Sequence, residues 1–147
     1  MTVSFHNLSR QNGPFREDYL ESFNATLSDS QYVLGASLEK FEQKVASYLG
    51  IQQAIGVNSG SDALLMTLHG LGVIEPGDEV ICPAFCYPEV ANVIPRVGAN
   101  ITFVDVNADF LLDVEAVKES ITDRTRVIVC PHLFGRVADL VELQQIS

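Results

Sequence analysis

Apolar residues recur at helical spacing in the first third of the chain, where two helices are predicted. The first covers residues 17–29 and the second covers residues 38–49. The apolar face of the second helix consists of Leu38, Phe41, Val45, Tyr48 and Leu49. Ser37 is expected to cap the start of this helix and Gly50 to end it.

After Gly50 the pattern changes to short apolar runs that alternate with helical segments. The predicted strands are Ala54–Val57, Glu79–Cys82, Asn100–Val104 and Arg126–Cys130. The predicted helices are Ser61–Leu71, Tyr87–Val97, Val114–Ile121 and one that begins near Ala138. This alternation predicts an α/β fold with a mainly parallel sheet flanked by helices. In such a sheet, ligands bind beyond the carboxyl ends of the strands.

Turn and capping residues mark some of these boundaries. Pro76-Gly77-Asp78 predicts a turn that leads into the second strand, and Asp113 is expected to cap the helix over residues 114–121. The last residues, up to Ser147, read as an unfinished helix. We therefore expect the sequence to be a shortened version of a longer protein.

Composition and charge narrow the class of protein. The 147 residues are enough for one domain with a buried core, and the mean hydropathy of +0.18 argues against disorder. A net charge of −10 repels nucleic acid and anionic membranes, so neither is an expected partner. No apolar run approaches the ~18 residues of a membrane span, and the N-terminus lacks a signal-peptide core. A cytoplasmic location is expected.

Three cysteines lie in or beside the apolar strand-like runs: Cys82, Cys86 and Cys130. We expect small buried thiols in a reducing compartment rather than disulfides. With His132 they lack a fourth ligand and a CxxC pair, so no metal site is predicted. His132 follows the fourth strand, and a structural hydrogen bond is a better prediction for it than a general-base role.

The junction at Ser59-Gly60-Ser61 joins the predicted first strand to a helix. Amide groups at a helix N-terminus have no partner inside the helix, and the helix dipole favours negative charge there. Small residues let a phosphate approach, and the two hydroxyls can add donors. The alternative is ordinary helix capping, for which serine is equally suited, and Asp62 is expected to serve as a capping residue.

Several motifs occur in a fixed order that together resemble one family. They are Gly35, Phe41-Glu42, Ala46-x-Tyr48-Leu49-Gly50, Asn58-Ser-Gly-Ser-Asp-Ala-Leu, Gly77-Asp-Glu-Val-Ile-Cys-Pro and Pro131-His-Leu-Phe-Gly135. This order is similar to that of the DegT/StrS family of pyridoxal-phosphate-dependent sugar aminotransferases, from about Gly13 to the last residue. The resemblance implies an aspartate-aminotransferase-like fold, of which the chain would form the N-terminal portion of the large domain.

The resemblance also implies a cofactor, pyridoxal 5′-phosphate, and residues that bind it. In the family a Ser-Gly-(Ser/Thr)-x-Ala-Leu turn holds the cofactor phosphate, which points to Ser59, Gly60 and Ser61. An aromatic ring stacks on the pyridine at the position of Tyr87, with Phe85 as a close competitor. The alternative is that both rings only pack their loop onto the core.

The loop after the second predicted strand departs from the family pattern. Where the family commonly has Thr-Phe-x-Ala-Thr, this chain has Cys86-Tyr-Pro-Glu-Val. Pro88 and Glu89 are expected to reshape the rim of the pocket.

The residues that carry covalent chemistry in the family have no counterpart here. The family places an acid against the pyridine nitrogen in Glu-Asp-x-Ala-Gln and a Schiff-base lysine in Ser-x-x-Lys, and neither motif occurs in this sequence. The three lysines, Lys40, Lys44 and Lys118, are expected on solvated surface. No catalytic residue is therefore predicted, and the chain alone is expected to be inactive.

These observations lead to one hypothesis and two alternatives. The first is a truncated sugar aminotransferase, a homodimer in the family, whose full-length relatives move an amino group from an amino acid to a nucleotide-linked keto-sugar. The second is a non-catalytic remnant or partner-binding fragment. The third is a nucleotide-binding α/β module with Asp105 on a ribose, although G-x-G-x-x-G is missing. A helical arm over residues 1–36 and a partial cofactor-binding domain over 37–147 are predicted.

Overall fold

The computed structural model describes residues 4–71 and 75–147, which form two compact units. The first unit ends at Gly56 and contains three helices, α1 (Leu8–Asn12), α2 (Arg16–Asp29) and α3 (Ala36–Leu49), with a 3₁₀ turn at Gly13–Phe15. Gly50 ends α3 in the left-handed conformation with φ of 66°, as predicted, because glycine carries no Cβ to clash there.

The start of α3 differs from the prediction by two residues. Gly35, not Ser37, occupies the N-cap position, and its carbonyl accepts hydrogen bonds from the Leu38 and Glu39 amides. A Cβ on residue 35 would lie 3.0 Å from the Gln31 Cβ. Glycine fits this close approach, and Ser37 falls inside the helix.

The predicted strand Ala54–Val57 has no regular secondary structure. A parallel strand needs a neighbour for its backbone hydrogen bonds, and among the described residues this segment has none. The Gly56 amide instead donates to the Glu42 Oε1 atom at 2.7 Å. The apolar pattern was therefore not enough to make a strand, because no strand in the described part of the chain pairs with this segment.

The second unit begins at Val57 and contains a three-stranded parallel sheet in the order β2-β1-β3. Its strands are β1 (Glu79–Pro83), β2 (Asn100–Val104) and β3 (Thr125–Ile128). Its helices are α4 (Gly60–Gly70), α5 (Pro88–Asn92), α6 (Val114–Ser120) and α7 (Leu140–Gln145), with a 3₁₀ turn at Pro95–Val97. The parallel α/β architecture predicted from the sequence is confirmed.

Side chains of the central strand β1 enter two apolar clusters. Val80 and Cys82 pack in one cluster with Leu68 and Ile94, while Ile81 packs in the other cluster with Val117. Successive residues of a strand point to opposite faces of the sheet, so β1 is buried on both sides. This explains why the sequence reads as a continuous apolar run there rather than as an alternating one.

The predicted helix Tyr87–Val97 is broken into α5 and the 3₁₀ turn. Pro95 lacks an amide hydrogen and its ring clashes with the carbonyl four residues earlier, so a helix cannot continue through it. The capping prediction for Asp113 is confirmed, since its Oδ1 accepts from the amides of Glu115 at 3.0 Å and Ala116 at 3.2 Å. None of the described helices is long and apolar enough to cross a membrane.

Ile81→Ala tests the two-sided burial of β1. The Ile81 side chain is fully buried, so its truncation is expected to lower the free energy of unfolding by about 2–5 kcal/mol, from lost burial and the cavity left behind. Val141→Ala in α7 is the control, because Val141 is exposed and its loss should cost less than ~0.5 kcal/mol. Urea unfolding followed by circular dichroism measures both, and equal effects would contradict the assignment.

Candidate functional site

Ser59 caps the start of α4. Its Oγ atom accepts from the Asp62 amide at 3.1 Å, and its hydroxyl donates to the Asp62 Oδ2 atom, also at 3.1 Å. The Ser59 carbonyl accepts from the Ala63 amide at 3.0 Å. The capping alternative thus describes Ser59 and Asp62 correctly.

The next two residues, Gly60 and Ser61, present the open part of the helix N-terminus. Their amide groups belong to the first turn and have no acceptor inside α4, nor is one found among residues 4–71 and 75–147. Gly60 is exposed, and a Cβ added to it would meet no atom within 4 Å. The helix start is thus exposed at Gly60 and half-buried at Ser61, and its unpaired amides are of the kind that bind anions.

Glu89 from the loop after β1 lies against this turn. The Ser61 hydroxyl donates to the Glu89 Oε2 atom at 3.4 Å, and the Asn92 Nδ2 atom donates to Glu89 Oε1, also at 3.4 Å. Ser61 and Glu89 are both half-buried. The sequence predicted that Glu89 changes the rim of the pocket. In the structure its carboxylate contacts Ser61, one of the residues predicted to bind the phosphate.

The two candidate stacking rings have different surroundings. The Phe85 ring lies 5.5 Å from the Phe110 ring and 6.5 Å from the Phe134 ring, measured between centroids. Tyr87 is the N-cap residue of α5, 69% exposed, and has no neighbouring ring in the described parts of the chain. Phe85 therefore packs in an aromatic cluster, whereas the Tyr87 ring is accessible to a ligand.

The aromatic cluster of Phe85, Phe110 and Phe134 was not predicted from the sequence. Each phenylalanine lies in the segment after one strand of the sheet, where parallel α/β proteins bind ligands. This shared position is the feature of the sequence that could have predicted the cluster. Phe110 and Phe134 have left-handed backbones, with φ of 61° and 55°. The cluster lines a cavity of about 370 Å³, whose rim carries an ion pair between Arg136 and Asp109.

The prediction of buried thiols holds for Cys82 and in part for Cys86 and Cys130. Cys82 is fully buried with its sulfur 3.9 Å from the Cys86 sulfur, while Cys86 and Cys130 are half-buried. Burial, together with the Cys86 neighbour, raises the pKa of the Cys82 thiol to about 12. Burial also raises the pKa of the Cys130 thiol.

Other candidate residues make structural contacts. The His132 Nδ1 atom accepts from the Ala138 amide at 3.2 Å, which is the predicted structural role. Asp105 accepts from the adjacent Val106 amide at 2.8 Å. Lys118 bridges Glu115 and Glu142, with its Nζ atom 2.7 Å from each carboxylate, and stays on the surface as predicted. The residues that the structure describes contain no group of three metal-binding side chains.

Comparison with protein families gives one family over most of the chain. Residues 15–147 match the sequence model of the DegT/DnrJ/EryC1/StrS aminotransferase family. The dTDP-3-amino-3,4,6-trideoxy-alpha-D-glucose transaminase of Streptomyces venezuelae is 37% identical over 99% of this chain and 38% of its own length. The UDP-N-acetyl-3-dehydro-alpha-D-glucosamine 3-aminotransferase of Acidithiobacillus ferrooxidans is 37% identical over 86% of this chain and 34% of its own.

Solved structures give the same result for the fold. The crystal structure of S. venezuelae DesV in complex with a ketimine intermediate has a TM-score of 0.92 and 37% identity, over 98% of this chain and 39% of its own. NtdA from Bacillus subtilis with bound cofactor PMP has a TM-score of 0.91 and 33% identity, over 99% of this chain and 34% of its own. The chain spans 30–40% of the length of the curated relatives it matches.

Alkylation of the thiols tests their environments. Iodoacetamide at pH 8 is expected to modify Cys86 first and Cys82 last, because the buried Cys82 thiol keeps its proton. An exposed thiol in the unfolded chain ionises near pH 9.0, below the folded value of about 12, so stability is expected to fall between these values. Mass spectrometry of timed samples gives the order, and modification of Cys82 before Cys86 would contradict it.

Proposed function

Because the chain belongs to the DegT/DnrJ/EryC1/StrS aminotransferase family, we propose that it forms the phosphate-binding and ring-stacking part of a pyridoxal 5′-phosphate site in a sugar aminotransferase. The observation that carries this proposal is the pair of open amides at Gly60 and Ser61, at the start of the 11-residue helix α4. An anionic ester suits such a helix end, since the amides and the helix dipole both favour negative charge.

The residues of this chain have separate roles in the proposed site. The Gly60 and Ser61 amides and the Ser61 hydroxyl hold the phosphate, while Ser59 holds the turn in shape through its bonds to Asp62. Tyr87 stacks on the pyridine ring, because it is accessible while Phe85 is packed against two other rings. When bound, the cofactor supplies an electron sink for amino transfer, and these residues bind and orient it.

We place the covalent attachment of the cofactor outside this set of residues. Lys118 is held between two carboxylates on the surface, and Lys40 and Lys44 are exposed on α3. Attachment of the cofactor requires a lysine that loses its proton in the site, which ion pairing with two acids disfavours. The proposal is that none of the three lysines has this role and that these 147 residues alone do not turn over substrate.

The relatives support a proposal for the reaction of the whole protein. Those from S. venezuelae and A. ferrooxidans are named as aminotransferases of dTDP- and UDP-linked sugars. We propose amino transfer from an amino acid to a nucleotide-linked keto-sugar, in the synthesis of polysaccharide, lipopolysaccharide or antibiotic sugars. A cytoplasmic homodimer is the proposed form, and the net charge of −10 supports the absence of nucleic-acid and anionic-membrane partners.

Binding of pyridoxamine 5′-phosphate tests the two ligand groups. This amine form fluoresces and does not react with lysine, so a change in its fluorescence reports non-covalent binding to the full chain. Ser61→Ala is expected to weaken binding on the order of tenfold, the usual effect of losing a hydrogen bond to a charged group. Tyr87→Ala is expected to weaken it by a similar factor through lost stacking.

Two exposed residues of the same types serve as controls. Ser47→Ala and Tyr48→Ala, both in α3, should leave the dissociation constant unchanged. The proposed site is wrong if the site variants and these control variants bind pyridoxamine 5′-phosphate with the same affinity. It is also wrong if the unaltered chain does not bind this compound at millimolar concentration.

Borohydride reduction tests the assignment of the lysines. After incubation of the chain with pyridoxal 5′-phosphate and reduction, peptide mass spectrometry is expected to show only low, scattered modification of Lys40, Lys44 and Lys118. Assays with amino-acid donors should show no turnover. Stoichiometric labelling of a single lysine would contradict the proposal that covalent attachment lies elsewhere.

A further inference from the structure

We propose that Glu89 is a specificity-determining residue that sets how tightly this site holds phosphate, by competing for the Ser61 hydroxyl. The inference rests on the proposed function, and it goes beyond it by assigning a role to a residue that departs from the family pattern. It starts from the contact in which the Ser61 hydroxyl donates to the Glu89 Oε2 atom at 3.4 Å.

The Glu89 carboxylate takes the place of an external anion at one donor of the turn. Ser61 has a single hydroxyl hydrogen, so it cannot donate to Glu89 and to a phosphate oxygen at the same time. A phosphate that uses this donor must displace the carboxylate or bind without it. In either case, binding is weaker than it would be at an unoccupied hydroxyl.

Repulsion between carboxylates and phosphate is a second reason to expect weaker phosphate binding at this turn. Asp62 already supplies one carboxylate at the start of α4, and Glu89 brings a second against the same turn. No ion pair joins either acid to a lysine or arginine within residues 4–71 and 75–147. A phosphate therefore meets two carboxylates that no ion pair in these ranges neutralises, and at this exposure the repulsion is moderate rather than prohibitive.

Glu89 makes a second side-chain contact besides the one with Ser61. It lies in the first turn of α5, its second carboxylate oxygen accepts from the Asn92 Nδ2 atom at 3.4 Å, and the side chain is half-buried. Both carboxylate oxygens are thus engaged, one by its own helix and one by Ser61. Glutamine keeps the shape of the side chain and removes the charge, but it has one acceptor oxygen in place of two and so cannot accept both bonds.

Glu89→Gln is the test, with pyridoxamine 5′-phosphate and inorganic phosphate as probes of the full chain. Removing the charge is expected to tighten binding of both on the order of tenfold, as like-charge repulsion near a protein surface predicts. Binding of pyridoxamine, which has no phosphate, should not change. Glu119→Gln, an exposed acid of α6 with the same change in net charge, should leave all three affinities unaltered.

A second substitution separates competition from charge alone. Ser61→Ala is expected to weaken phosphate binding more in the Glu89→Gln background than in the unaltered chain, because a neutral amide competes less than a carboxylate for the Ser61 hydroxyl. Thermal melts establish that each variant is folded, and Glu89→Ala replaces Glu89→Gln if that variant is not.

The outcomes distinguish this inference from the function on which it rests. If the unaltered chain binds pyridoxamine 5′-phosphate but Glu89→Gln and Glu119→Gln bind it equally well, the role of Glu89 is wrong and the proposed function stands. If none of the variants binds either phosphate probe, the proposed function is wrong and the role of Glu89 falls with it.

Discussion

Burial of the central strand β1 on both faces is the constraint on which the second unit depends. Val80 and Cys82 fill one apolar cluster while Ile81 fills the other, so the strand cannot shift by one residue without exchanging its two faces. Pairing with β2 continues past the strand through the Ala84 amide, which donates to the Val104 carbonyl at 2.8 Å. The loop that follows therefore starts from a fixed point, and this loop carries Phe85, Tyr87 and Glu89.

The same constraint gives the proposed site its geometry. The cluster that contains Val80 and Cys82 also contains Leu68 of α4 and Val90 of α5. Packing of both helices on one face of the sheet brings the open N-terminal turn of α4 beside the first turn of α5. The contact between Ser61 and Glu89 is the local result. The proposed anion site and its proposed competitor are thus both consequences of how one apolar layer is filled.

Several features could be predicted from the sequence because they depend on residues that are neighbours in the chain. The cap at Asp113, the left-handed stop at Gly50 and the turn at Gly77, with φ of 97°, are local choices that the residue type dictates. The order of the motifs indicated the family, and the turn Ser59-Gly60-Ser61 indicated where the unpaired amides at the start of α4 lie. The break at Pro95 is also local, and the helix predicted over residues 87–97 was wrong there because proline has no amide hydrogen to continue it, although the apolar periodicity does continue.

The sequence by itself determined the α/β class, the family and the position of the serine-capped start of α4, because periodicity, capping and turn chemistry act over a few residues. Only the tertiary structure decided that residues 54–57 form no strand, that Phe85 packs with Phe110 and Phe134, and that Glu89 reaches Ser61. These outcomes join residues far apart in the chain, and strand pairing and side-chain packing depend on which surfaces the whole fold brings together.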